Sequence, residues 1–187
     1  MTQPSFQTAI KMLLETLGGS PGLPLRAFDD LFPHTAALDQ LYLTLADVSP
    51  PELAGMYRVV DLYCQDPSCH CHKVSLVFLD KNQKIYATVA YGWKSKTFYR
   101  KWGLDKDGIQ SLTYGFIDPL AQQSKHAHLF LKAFLFTLKR DPKFIARLKS
   151  RYSLFKEAIA SDPSLIMDYA DDELPENVIS LNSYKSR

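Results

Sequence analysis

The sequence predicts an α+β domain in which a small antiparallel meander sheet, of three or four strands, is flanked by N-terminal and C-terminal helices. The middle of the chain is rich in β-branched and aromatic residues, as strands are, whereas the segments on either side repeat apolar residues at helical spacing. In the last third, the dipeptide Asp-Pro recurs three times, and each copy places a helix N-cap before a proline suited to the first helical position.

Residues 1–48 are predicted to form a pair of helices. The first covers residues 4–17 and ends at Gly18-Gly19, and the second covers about residues 35–47. The residues expected to face inward are Phe6, Ile10, Leu13, Leu14 and Leu17 in the first helix, and Leu38, Leu41, Tyr42 and Leu45 in the second. Pro50-Pro51 then marks the boundary with the sheet.

Residues 56–117 are predicted to contain the sheet. Three strands are expected over residues 56–64, 73–78 and 85–93, and residues 111–117 add a fourth short strand. The polar residues 80–83 suit the turn between the second and third strands.

Residues 118–170 are predicted to be helical, in segments that cover about residues 119–140, 142–160 and 163–170. The stretch 129–138 is apolar on nearly all sides, so we expect a central, largely buried helix there. Residues 1–170 are therefore expected to form a single domain, and residues 171–187 a polar tail.

Composition excludes few functions. The formal net charge of +2 is too small to indicate a nucleic-acid partner by itself, and no apolar run is long enough to span a bilayer. No membrane partner is expected. Three clustered cysteines suit a reducing compartment, so a cytoplasmic location is expected.

All three cysteines of the chain lie in one short stretch, residues 64–71, and His72 follows them. The spacing Cys-x4-Cys-x-Cys predicts a metal site with Cys64, Cys69, Cys71 and His72 as ligands. Zinc is the default ion for thiolate and imidazole ligands, and copper(I) is also chemically compatible. The alternative is three small buried cysteines in a tight turn.

The fourth ligand is the least defined part of this site. His72 is the nearest candidate if the chain twists at the tip of the hairpin, and His70 lies between two of the cysteines. His126 or His128, near the start of a later helix, is a further alternative, but two residues apart on a helix they face different directions.

A structural role is favoured over a catalytic one. Three thiolates donate so much charge to zinc that the ion becomes a poor Lewis acid. The sequence contains no deaminase signature, phosphate loop, dinucleotide fingerprint or His-Glu-x-x-His motif.

A second feature is residues 93–102, which hold four basic residues, four aromatic residues and no acidic residue. Cations that meet phosphates and rings that stack on bases are typical of nucleic-acid surfaces. The candidate contact residues are Trp93, Lys94, Lys96, Tyr99, Arg100, Lys101 and Trp102. The alternative is that the rings pack on the sheet and the basic chains cover them.

The leading interpretation is therefore a non-enzymatic metal-binding protein with a structural zinc-type site, which contacts a protein partner through another surface. A nucleic-acid-binding module that uses residues 93–102 is the first alternative. A metalloenzyme with an open coordination position is the second.

Overall fold

The computed structural model describes residues 25–119 and 121–166. The strands are β1 (Leu25–Ala27), β2 (Leu41–Leu45), β3 (Gly55–Cys64), β4 (Lys73–Leu79), β5 (Ile85–Gly92) and β6 (Phe116–Ile117). The helices are α1 (Phe28–Leu31), α2 (Pro33–Leu38), α3 (Lys96–Lys101), α4 (Lys106–Tyr114), α5 (Ala127–Arg140) and α6 (Pro142–Ser161), and short 3-10 turns occupy Pro51–Leu53 and Pro163–Leu165. Within the described residues, no helix is both long and apolar enough to cross a bilayer.

The six strands form one open antiparallel sheet, so the α+β class is confirmed and the predicted sheet was too small. The meander β3–β4–β5 is its centre, as predicted. On the side of β3 away from β4, the first half of β3 pairs with β2 and the second half pairs with β1. β6 extends the sheet beyond β5.

The prediction of a helix over residues 35–47 was wrong in its second half, where β2 lies. Leu41, Leu43 and Leu45 are buried and alternate with exposed residues, which is the period of a strand. The expected inward residues Leu38 and Tyr42 are instead 91% and 40% exposed. The helical assignment failed because leucine fits both periods, whereas pairing with β3 decides in favour of the strand.

Two further elements differ from expectation. Residues 111–117 are not one strand, because α4 continues to Tyr114 and only the two residues of β6 follow Gly115. Asp118-Pro119 does not begin a helix, since α5 begins at Ala127. Asp141-Pro142 does, and the Asp141 carboxylate accepts a hydrogen bond from the Lys143 amide at 2.9 Å.

Helices α5 and α6 cover one face of the sheet. Phe130 and Phe134 of α5 are buried against Tyr57 and Phe78 of the sheet, with ring centroids 4.7 to 6.3 Å apart. The stretch 129–138 was predicted to be largely buried, but Phe136 within it is 56% exposed.

Helix α6 is anchored to the middle of β3 by a buried ion pair. An Arg151 guanidinium nitrogen lies 2.8 Å from an Asp61 carboxylate oxygen, and both side chains are almost fully buried. The Tyr63 hydroxyl lies 2.8 Å from the other Asp61 oxygen. This anchor holds α6 beside the strand that ends at Cys64.

The predicted helix over residues 4–17, most of the predicted segment 163–170 and the predicted tail 171–187 lie outside the described residues. The domain boundaries proposed from the sequence therefore stay predictions.

Candidate metal centre

The three cysteines lie at the tip of the hairpin between β3 and β4. Cys64 is the last residue of β3, and the connection to β4 contains a tight turn that begins at Asp66. The Asp66 carbonyl accepts a hydrogen bond from the Cys69 amide at 3.1 Å, and its carboxylate accepts two from Ser68. Aspartate at the first position and proline at the second are the residues that such a turn favours. The turn brings Cys69 back towards Cys64.

The three thiols contact one another. The Cys64 thiol interacts with the thiols of Cys71 and Cys69, and Cys69 interacts with Cys71. None of the three forms a disulfide. Cys64 and Cys71 are buried, and Cys69 is partly exposed, so the cluster can be reached from solvent through Cys69.

The pKa values of the three thiols are shifted in different directions. The hydrogen bond from Cys71 lowers the pKa of Cys64 to about 6, and the positive charge of Lys156 acts in the same direction. The same hydrogen bond raises the pKa of Cys71, and burial raises the pKa of Cys69. The three thiols therefore titrate as a coupled group in which Cys64 is the most acidic.

Lys156 of α6 supplies the positive charge beside the cluster. Its ammonium donates hydrogen bonds to the carbonyl oxygens of Cys64, at 3.4 Å, and of Asp66. The lysine thus fixes the start of the turn and favours the thiolate form of Cys64. Its role was missed in the sequence, because 92 positions separate it from Cys64 and no local pattern links them.

His72 is not directed towards the cysteines. Its ring packs against Tyr152, Phe98 and Trp93, with centroid distances of 5.1, 5.3 and 6.4 Å. Its backbone has a φ of 48°, and its carbonyl accepts a 2.7 Å hydrogen bond from the Tyr99 hydroxyl. Burial, with the nearby charge of Lys94, lowers the pKa of the imidazole. The twist at the hairpin tip therefore turns His72 into an aromatic pocket.

The other candidate histidines occupy two different places. His70 is exposed on the loop between Cys69 and Cys71. His126 and His128 lie at the start of α5, and the Ser124 amide just before it donates to the Tyr86 carbonyl. Tyr86 is near the start of β5, whereas the other end of that strand, Gly92, pairs with the first residue after the hairpin loop. At about 3.3 Å per residue, Tyr86 and Gly92 are about 20 Å apart, so His126 and His128 begin α5 near the end of β5 that is remote from the hairpin loop.

In residues 25–119 and 121–166, no group of three or more histidine, cysteine, aspartate or glutamate side chains stands in position to hold a metal ion. The three cysteines are not arranged as a ligand set in this structure. Metal binding would therefore require their side chains to rotate.

The basic aromatic stretch 93–102 forms a loop followed by α3. Tyr99 is fully buried, Trp93 and Phe98 are partly buried around His72, and Trp102 is 39% exposed. The basic side chains Lys94, Lys96, Arg100 and Lys101 are exposed. Lys94 and Lys96 lie over the rings of Phe98 and Tyr114, at 5.8 and 5.1 Å. Most of the rings expected to stack on bases are thus occupied within the protein.

The chain matches no protein-family model, and neither a curated protein nor a solved structure is detectably similar to it. Functional inference therefore rests on the fold, an α+β protein with an open antiparallel sheet, and on the geometry of its sites.

Proposed function

We propose that this chain is a non-enzymatic metal-binding protein whose Cys64, Cys69 and Cys71 hold a zinc-type ion as a structural staple. The observation that supports the proposal most is the mutual contact of all three thiols at one hairpin tip. A cluster in which the pKa of one thiol, Cys64, is lowered suits metal binding, because the thiolate is the form that coordinates metal.

Zinc would bring the three sulfurs to a defined spacing. With Zn–S bonds of about 2.3 Å, the sulfurs of a tetrahedral site lie about 3.8 Å apart. Rotation of the three side chains towards one point would replace their hydrogen bonds by metal bonds. Copper(I) would accept the same three thiolates.

A structural role fits the surroundings of the cluster better than a catalytic one. The nearest carboxylate in the loop, Asp66, already accepts two hydrogen bonds from Ser68 and is not directed at the thiols as a general base. A metalloenzyme stays the second alternative, and it requires a coordination position that is open to substrate.

The fourth ligand is proposed to be His70 and not His72. The His72 ring would have to leave three aromatic neighbours to reach the cysteines, whereas His70 is exposed and free to turn. The partly exposed Cys69 precedes His70 in the chain.

The test is the pair of variants Cys69→Ser and Ser68→Ala in the full chain. Cys69→Ser should abolish stoichiometric zinc and lower the melting temperature by about 10 °C, since loss of an ion bound with about 1,000-fold saturation removes about 4 kcal/mol. Ser68→Ala keeps every thiol and should retain one zinc per chain. Equal zinc content in wild type and Cys69→Ser would contradict the proposal.

Nucleic-acid binding is kept as the first alternative because four exposed basic side chains and the half-exposed Trp102 share the α3 surface. Titration of a single-stranded oligonucleotide at several salt concentrations separates the two functions. A steep loss of affinity with salt, reduced in Arg100→Gln, would support a nucleic-acid interface. No binding at low salt would remove it.

A reducing, cytoplasmic location is proposed, because clustered thiols serve as ligands there more often than as bridges. The partner is proposed to be a protein that contacts a surface other than the metal site.

A further inference from the structure

A cavity of about 580 Å³ lies on the sheet face opposite α5 and α6. Its floor is formed by residues of β1, β3, β4 and β5, and its walls by the segment after α3, by α4 and by β6. The volume falls within the range of about 300–1,000 Å³ that is typical of small-molecule sites. The apolar lining residues include Leu25, Leu62, Ala90, Trp102, Leu112 and Phe116.

Two polar side chains of β4 face this apolar space from one end. Lys73 and Ser75 are two residues apart on the strand, so both point to the cavity face. Ser75 is only 5% exposed, and its hydroxyl has no hydrogen-bond partner among residues 25–119 and 121–166. The hydroxyl lines the cavity, so it is available to donate a hydrogen bond to an acceptor bound there.

Lys73 provides the charge for that ligand. Its ammonium lies over the Trp102 ring at 5.8 Å, and within the described part of the chain no carboxylate pairs with it. The acidic lining residue, Asp118, lies at the opposite end of the cavity from Lys73. The Asp118 amide donates a hydrogen bond to the Thr88 carbonyl of β5, whereas Lys73 pairs with Gly92 of the same strand. Thr88 and Gly92 are four residues apart, which corresponds to about 13 Å along the strand.

We propose that this cavity binds a small amphiphilic monocarboxylate, such as a medium-chain fatty acid. The carboxylate accepts hydrogen bonds from the Lys73 ammonium and the Ser75 hydroxyl, and the hydrocarbon body lies against the apolar wall that Leu62, Ala90 and Leu112 contribute to. A charged acceptor satisfies both polar groups at once, which a neutral apolar ligand does not. This proposal is independent of the metal site.

The experiment is calorimetric titration of the full chain with decanoate, and with decanol and decyltrimethylammonium as neutral and cationic probes. Decanoate should bind one to one in the low-millimolar range or tighter, as expected for a ligand of its size. Nuclear Overhauser contacts should join its alkyl chain to the methyl groups of Leu62 and Leu112. Decyltrimethylammonium should not compete.

Variants locate the charged and apolar ends of the site. Lys73→Gln should weaken decanoate about tenfold or more and leave decanol unchanged, and Ser75→Ala should weaken decanoate about fivefold. Ala90→Leu, which fills the floor, should abolish binding of both. The matched control is Lys84→Gln, since Lys84 also lies over a ring, that of Tyr86, but does not line the cavity.

Three results would overturn the proposal: no binding of decanoate, equal binding of all three probes, or equal loss in Lys73→Gln and Lys84→Gln. Zinc content is measured in the same samples. Unchanged zinc with lost decanoate binding shows that the cavity, and not the hairpin, was altered.

Discussion

Replacement of Arg151 by methionine should destabilise the protein strongly. The guanidinium pairs with Asp61 at 2.8 Å, and the two residues are 4% and 0% exposed. Methionine keeps most of the buried stem but removes the charge, which leaves the Asp61 carboxylate with the Tyr63 hydroxyl as a remaining partner. Burial already raises the pKa of Asp61, and Arg151 is the group that opposes this effect most.

The magnitude follows from the burial of the pair. Removal of one partner from a buried ion pair costs about 3–5 kcal/mol, because the other charge stays desolvated. Arg147 provides the matched control, one turn earlier on α6. It pairs with Asp39 at 3.0 Å, but the two side chains are 34% and 46% exposed, so Arg147→Met should cost about 0–1 kcal/mol.

Urea denaturation followed by circular dichroism measures both variants. With an m-value of about 2 kcal/mol per M, a loss of about 4 kcal/mol lowers the unfolding midpoint by about 2 M. The double variant Asp61→Asn/Arg151→Met should recover part of this loss, because no uncompensated charge remains. A loss below about 1 kcal/mol in Arg151→Met, or equal losses in the two arginine variants, would refute the reasoning.

The remaining predictions concern the metal site. His70→Ala should reduce bound zinc, whereas His72→Ala and His126→Ala should retain one equivalent by elemental analysis; loss of zinc in His126→Ala would contradict the placement of α5. Zinc binding at pH 7.5 should release about two protons, because Cys64, with a pKa of about 6, is already ionised while the raised pKa values of Cys69 and Cys71 keep them protonated. Below about pH 6 the number of protons released should rise towards about three, and the affinity for zinc should fall more steeply. Calorimetry in buffers of different ionisation enthalpy measures this number. A proton release that does not change with pH would contradict the lower pKa of Cys64.

The central strands could be predicted because most of their residues favour the strand conformation. Residues 56–64 and 85–92 are dense in valine and tyrosine, and the polar turn between β4 and β5 separates their patterns clearly. β2 was missed because the alternation Leu-x-Leu-x-Leu is short and lies beside a real helical turn, so only its pairing with β3 decides the period.

The cysteine cluster could be anticipated from spacing alone, since the turn at Asp66-Pro67 is encoded locally. The surroundings of the cluster could not. The placement of His72 depends on Tyr152 and Trp93, and the acidity of Cys64 depends on Cys71 and Lys156. Contacts between α6 and the hairpin join residues about 80 to 90 positions apart, and no periodicity in one segment encodes them. The cavity was missed for the same reason, because its lining comes from several separate elements.

The most direct test of the metal proposal is elemental analysis of the purified full chain together with a count of reactive thiols. The account predicts one equivalent of zinc, with all three thiols masked until a chelator is added. A chain without metal whose three thiols react freely would contradict it. Nucleic-acid binding by the exposed basic surface of α3 would then become the leading proposal.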